Sequence, residues 1–78
     1  MPSYDDALKV TTEMLARHLD AGRPVKPADH IQNDLGLDSL AVMEVVADLE
    51  DHFNISIPAA SLEGVATVDD VARTLTKF

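Results

Sequence analysis

Ser39 stands where the stretch Gly36-Leu37-Asp38 gives way to Leu40-Ala41-Val42, and a hydroxyl in that setting is open to three chemistries. It can cap or neighbour a helix N-terminus, act as a nucleophile, or accept a covalently attached group. The nucleophile reading fails, because no Gly-x-Ser-x-Gly elbow surrounds it and no His lies near it in sequence. The three histidines, His18, His30 and His52, form no i, i+4 pair of the kind a helical zinc site uses. With no Cys in the chain, a thiol nucleophile, a Cys-bound zinc and a disulfide scaffold are all excluded. The acids miss the register of a calcium loop: counting from Asp34 puts Val45 at position twelve, and counting from Asn33 puts Asp38 where Gly is needed. No metal site is expected.

Charge narrows the partners. Fourteen acids against six bases give a net charge of -8, which repels phosphate backbones and anionic lipid headgroups. Nucleic acid is therefore disfavoured as a ligand, and partners with basic docking surfaces are favoured. Lys9, Arg17, Arg23 and Lys26 lie toward one end and Arg73 and Lys77 toward the other. Residues 27–72 hold ten carboxylates and no Lys or Arg. No apolar run approaches the roughly 20 residues that span a bilayer, and Met1-Pro2-Ser3-Tyr4-Asp5-Asp6 lacks the regions of a signal peptide. The expectation is a single cytoplasmic domain over residues 1–78, monomeric and without membrane insertion, since 78 residues support one core.

The elements that must position Ser39 can be read from periodicity. A first helix is predicted from about Ser3 to Leu19, with Ser3-x-x-Asp6 resembling a capping box and Tyr4, Leu8, Thr11, Leu15 and Leu19 at helical spacing. Gly22, Pro24 and Pro27 end it, and Ala21 to Asp38 reads as a long, ordered loop anchored by Val25, Ile31, Leu35 and Leu37. A second helix opens near Asp38-Ser39 and runs to about His52, with Val42, Val46, Leu49 and Phe53 on its core face. Asn54 to Pro58 is expected to be an extended connector, and Ala59 to Glu63 a brief helix stopped by Gly64. The last helix follows the Thr67-x-x-Asp70 capping signature, with Val68, Val71, Ala72 and Leu75 on one face. The fold class is thus all-α: a small four-helix bundle of three main helices and one short third helix, with a long loop between helices one and two.

At about 100° per residue, Glu44, Asp48 and Asp51 lie within roughly 60° of one another on helix two, and Ala41 projects from the same stripe. Leu40, Met43 and Ala47 flank it. Carboxylates bordered by apolar side chains suit a docking helix as well as a merely solvated one.

The run Asp34-Leu35-Gly36-Leu37-Asp38-Ser39-Leu40, followed by Glu44, Leu49-Glu50, Phe53 and Ile57-Pro58, resembles an acyl carrier protein along the whole chain. That resemblance implies that Ser39 receives phosphopantetheine from coenzyme A and that acyl groups ride on the arm's thiol as thioesters. It also implies a carrier that catalyses nothing itself and is the substrate of a phosphopantetheinyl transferase and of acyl-transferring enzymes. Asp38 would contact the transferase, and Glu44, Glu50 and Asp51 would meet basic residues of partners. Val46, Leu49, Leu62, Val65, Val71 and Leu75 would line an acyl pocket, with core packing as their other role.

Three departures refine the expectation. Fatty-acid carriers commonly have an acid two residues after the modified Ser, where this chain has Ala41. Asp48 places a charge where the family often has a small apolar residue, and Ala59 to Glu63 is less acidic than usual. These point away from a housekeeping carrier and toward a specialised lipid or polyketide pathway. Leu37-Asp38 does not match the Gly-Gly-His-Ser pattern of the peptidyl-carrier branch. The alternative class is an acidic helical interaction module without covalent modification, in which Ser39 only caps a helix or is phosphorylated.

Overall fold

Ser3 opens the first helix, α1, Tyr4–Ala16: its Oγ accepts the backbone N–H of Asp6, satisfying one donor that the first turn leaves free. The computed structural model describes residues 2–20 and 23–78, so Ala21 and Gly22, expected to begin the loop and stop the helix, lie outside the described residues. Helix α1 ends three residues before the expected Leu19, and Arg17, His18 and Leu19 continue in turns whose N–H groups reach back three residues. The second helix, α2, spans Ser39–Phe53, and the third, α3, Val68–Leu75. The expected short helix between them is a single 3-10 turn, Ala59–Leu62, after which Gly64 adopts a φ of +76° that favours glycine. Among the described residues no helix is long and apolar enough to cross a membrane.

Helix α1 packs against both α2 and α3, and this explains its wide buried face. Ala7, Val10, Thr11, Met14 and Leu15 are buried, with Leu8 and Leu19 half-buried. Tyr4, expected on that face, is instead at the rim, where its hydroxyl donates to the Asp69 carboxylate of α3. That bond raises the tyrosine above the ordinary phenol value. The contact also brings the N-termini of α1 and α3 to one end of the bundle, while His18 at the far end of α1 approaches Glu44 in the first half of α2. The backbones of α2 and α3 stay farther from each other than either does from α1.

Residues 27–37 are held by the unpaired donors of α3. The N–H groups of Val68 and Asp69 donate to the carbonyls of Asp29 (3.1 Å) and Pro27 (2.9 Å), and that of Asp70 to Thr67 Oγ1 (3.1 Å). Each first-turn donor of α3 is thereby satisfied. The Asp70 carboxylate completes a capping box by accepting from Ala66 and Thr67, both at 3.0 Å, and these bonds hold its pKa below the ordinary carboxylate value. An isolated antiparallel bridge pairs His30 with Thr67. Ile31, Leu35 and Leu37 then enter the core, and Gly36, at a φ of +71°, turns the chain toward α2.

Candidate functional site

The junction at the head of α2 divides its tasks between two adjacent residues. Asp38 is the N-cap, with extended backbone and an Oδ1 that accepts the Ala41 N–H at 2.8 Å. Ser39, the first helical residue, is exposed, and its hydroxyl makes no hydrogen bond among the described residues. Because Asp38 supplies the cap, the serine hydroxyl is left free. No acid occupies the first turn of α2, so an anion esterified to Ser39 would meet the positive end of the helix dipole, offset in part by the Asp38 carboxylate.

Burial around α2 is rotated relative to the expected faces. Val45, absent from the expected core face, is buried with Leu49, while Val42, Val46 and Phe53 are only half-buried. The outward side is centred on Leu40, Met43, Glu44, Ala47 and Asp51; Leu40 is 65% and Met43 68% exposed. Ala41 and Asp48, expected to face outward with Glu44, are half-buried, and Ala41 packs on the core. Glu50 turns the other way: its Oε2 accepts the Ile57 N–H at 2.8 Å and ties the extended connector to the helix. It is committed within the molecule rather than displayed. The helix ends at Asn54, which adopts the left-handed conformation that Asn tolerates better than most residues.

A cavity of about 210 Å³ opens between α2 and α3, walled by Val42 and Val46 from α2, Val71 from α3, and Leu62, Val65 and Ala66 from the connection between them. His30, Ile31 and Gln32 complete the lining. Four of the six residues expected in an acyl pocket, Val46, Leu62, Val65 and Val71, are brought together here. Leu49 and Leu75 are not among them; both are wholly buried in the core, where α1 packs on its neighbours. His30, Ile31, Gln32, Val42 and Ala66 were not among the residues expected to line it. The signal for Val42 was its spacing, since residues 39, 42 and 46 fall on one stripe of a helix with about 3.6 residues per turn. Ser39 therefore heads the same stripe that lines the cavity.

Comparison with known proteins supplies the family. The family described as phosphopantetheine attachment site matches residues 9–75. A curated acyl carrier protein of Wolinella succinogenes is 42% identical over 73 residues, covering 94% of this chain and 92% of its own. The chain belongs to the acyl carrier protein family. A solved structure from Mycobacterium tuberculosis, described as a candidate acyl carrier protein, superposes with a TM-score of 0.82 at 27% identity, covering 91% of this chain and 96% of its own. The helical arrangement is thus the family's fold. As an acyl carrier protein the molecule is a carrier rather than an enzyme, and its cofactor is phosphopantetheine. At the head of α2 the chain has an exposed hydroxyl, that of Ser39, which makes no hydrogen bond among the described residues and whose helix is capped by a neighbour.

Proposed function

We propose that Ser39 is the attachment point of the phosphopantetheine arm, and that the carrier presents acyl thioesters from there to partner enzymes. The carrying observation is the free Ser39 hydroxyl at the first position of α2, beside a cap that does not need it. The serine oxygen forms the phosphodiester and the nucleotide portion of coenzyme A leaves, in a reaction whose base and metal come from the transferase. When bound, the arm supplies a thiol that holds the acyl group as a thioester. One core running from Ala7 to Leu75 supports residues 1–78 as a single carrier domain, with the 3-10 turn in the place of a third helix in a four-helix bundle.

The exposed face of α2, Leu40, Met43, Glu44, Ala47 and Asp51, is the docking surface for the transferase and for acyl-handling enzymes with basic surfaces, with Asp38 at its end and Asp48 on its flank. The acyl chain folds back along the Ser39, Val42, Val46 stripe into the cavity. A specialised lipid or polyketide pathway fits the half-buried Ala41 and the single acid, Glu63, near the 3-10 turn. Efficient use by a housekeeping fatty-acid elongation enzyme would reverse that assignment. Intact mass spectrometry after incubation with coenzyme A and a transferase tests the central reading. Wild type should gain one phosphopantetheine, and Ser39→Ala none while keeping its helical circular dichroism. A modified Ser39→Ala protein would place the arm elsewhere.

A further inference from the structure

We propose that His18 sets how much of the Glu44 charge a docking partner meets: protonated, the imidazole offsets that carboxylate and slows docking, and deprotonated it leaves the charge free. This inference rests on the reading of α2 as the docking face.

His18 brings a second element to that face. It lies in the turns that follow α1, and its Nδ1 is 3.9 Å from Glu44 Oε2. Its side chain is 24% exposed and that of Glu44 56%, so the ring is mostly covered while the carboxylate still reaches solvent and a partner. The ring is tethered there, because the His18 backbone N–H donates to the Leu15 carbonyl at 3.0 Å and Leu15 is buried. Asp48 and Asp51, the other acids read onto this side of α2, form no ion pair among the described residues. Among the described residues, Glu44 is therefore the docking acid whose charge a neighbouring side chain can offset.

Glu44 is also the charged group that the fold brings to His18. On its own segment His18 is flanked by Arg17 and Asp20, whose charges are opposite. From α2 it meets Glu44, with Asp48 one turn further along that helix. The acids at the start of α3 lie at the other end of the bundle, where Asp69 holds Tyr4 and Arg73 and Asp70 caps the helix. In the loop after α1, Arg23 donates to the Asp34 carbonyl. Lys77 and the terminal carboxylate, which follow α3, form no ion pair with His18 or Glu44 among the described residues.

The consequence of this contact is kinetic. An exposed ion pair contributes little to folding stability, so the pair is a poor device for holding α1 to α2. Charges at the rim of a docking surface act instead on encounter, and they act most strongly at low salt. Histidine is the side chain that gains or loses a charge between about pH 5 and 8, so the pair converts a change in proton concentration into a change in association rate.

The test uses the full chain without its arm. The Glu44 side-chain carboxylate carbon is followed by carbon-13 NMR from about pH 5.5 to 8, above the range in which an ordinary glutamate titrates. It should show one inflection in wild type and none in His18→Gln. Association with a phosphopantetheinyl transferase is then measured by stopped flow at low salt over the same range for wild type, His18→Gln, His18→Arg and Glu44→Gln. Each rate is taken as a ratio to wild type at the same pH, which cancels the titration of the transferase. The ratio for His18→Gln should rise about two- to fourfold as the pH falls across the range. His18→Arg, charged throughout, should begin below one by a similar factor at the alkaline end and approach one at the acid end. Glu44→Gln at the alkaline end separates the two readings. If it leaves association unchanged, the docking reading of α2 fails and this inference with it; if it slows association while the His18→Gln ratio stays flat with pH, this inference alone fails. A wild-type Glu44 carbon without an inflection, or an inflection that survives in His18→Gln, also overturns it. The wild-type titration decides that point even where a variant does not fold.

Discussion

Asp38 and Ser39 separate structural from chemical duty at the head of α2, and substitutions can separate them too. Losing the Asp38 cap leaves the Ala41 N–H without its partner, so Asp38→Ala should lower stability by about 1 kcal/mol in a denaturant titration. Asp38→Asn caps nearly as well while removing the charge. It should therefore melt like wild type yet be modified more slowly if the carboxylate contacts the transferase; equal loss of stability in both variants would refute the cap. Asp70 offers a case with a pH signature. Its folded pKa is lowered from the ordinary 3.8, chiefly by the backbone donors of Thr67 and Ala66. A carboxylate with a depressed folded pKa contributes stability that is complete above its unfolded pKa and is lost as pH falls through the folded one. Asp70→Asn should accordingly melt below wild type at pH 7, with the gap closing below about pH 4. A gap that does not change with pH would mean the charge plays no part.

Helix α2 shows at the scale of an element what periodicity could and could not reveal. Its existence, its start at Asp38-Ser39 and its end near Phe53 were legible from caps and spacing, as was the core face of α3, where Val68, Val71, Ala72 and Leu75 are all buried. The rotation of α2 was not legible, because a helix rich in Val, Ala and Leu around much of its circumference has no unique apolar stripe. Packing decides: the core covers the Ala41, Val45 flank, and the cavity to α3 leaves Val42 and Val46 half-buried. The proposed attachment serine was singled out by the run around it, whereas His30 drew no notice, since only the bridge to Thr67 brings it to the cavity. The face that remains exposed carries two kinds of side chain with different kinetic consequences. Rim charges steer encounter, while apolar groups buried in the complex determine how long it lasts. Glu44→Lys should slow association with the transferase several-fold at low salt, and Leu40→Ala should chiefly speed dissociation, with neither unfolding the bundle. Stopped-flow and surface-immobilised binding measurements distinguish the two. Indifference to Glu44→Lys would remove this face from docking.

Over the whole molecule, the acidic middle region has more than one use. Of the ten carboxylates between residues 27 and 72, Asp29, Asp34, Asp38, Glu50 and Asp70 each accept a backbone N–H, and Asp69 accepts from Tyr4 and pairs with Arg73 at 2.7 Å. Composition alone could not show this, because an acid that staples a loop and an acid that greets a partner are the same letter. The staples fix geometry but leave the repulsion of a net charge of -8 in place. Among the described residues no group of three or more His, Asp or Glu is arranged to hold a metal ion. Given that net charge, added cations should act by screening, which shortens the range of repulsion to roughly 10 Å at 0.1 M ionic strength. Tm should rise by a few degrees from low salt to about 0.15 M, and magnesium chloride should match sodium chloride when ionic strength is equal. A larger effect of magnesium at matched ionic strength would mean that carboxylates bridge an ion, most readily Glu44, Asp48, Asp51 and Glu63, which are not engaged by backbone donors. Mutating Asp48 and Asp51 to Asn in pairs would then abolish the excess. Under screening alone, the same pair should raise Tm at low salt and leave it nearly unchanged at high salt.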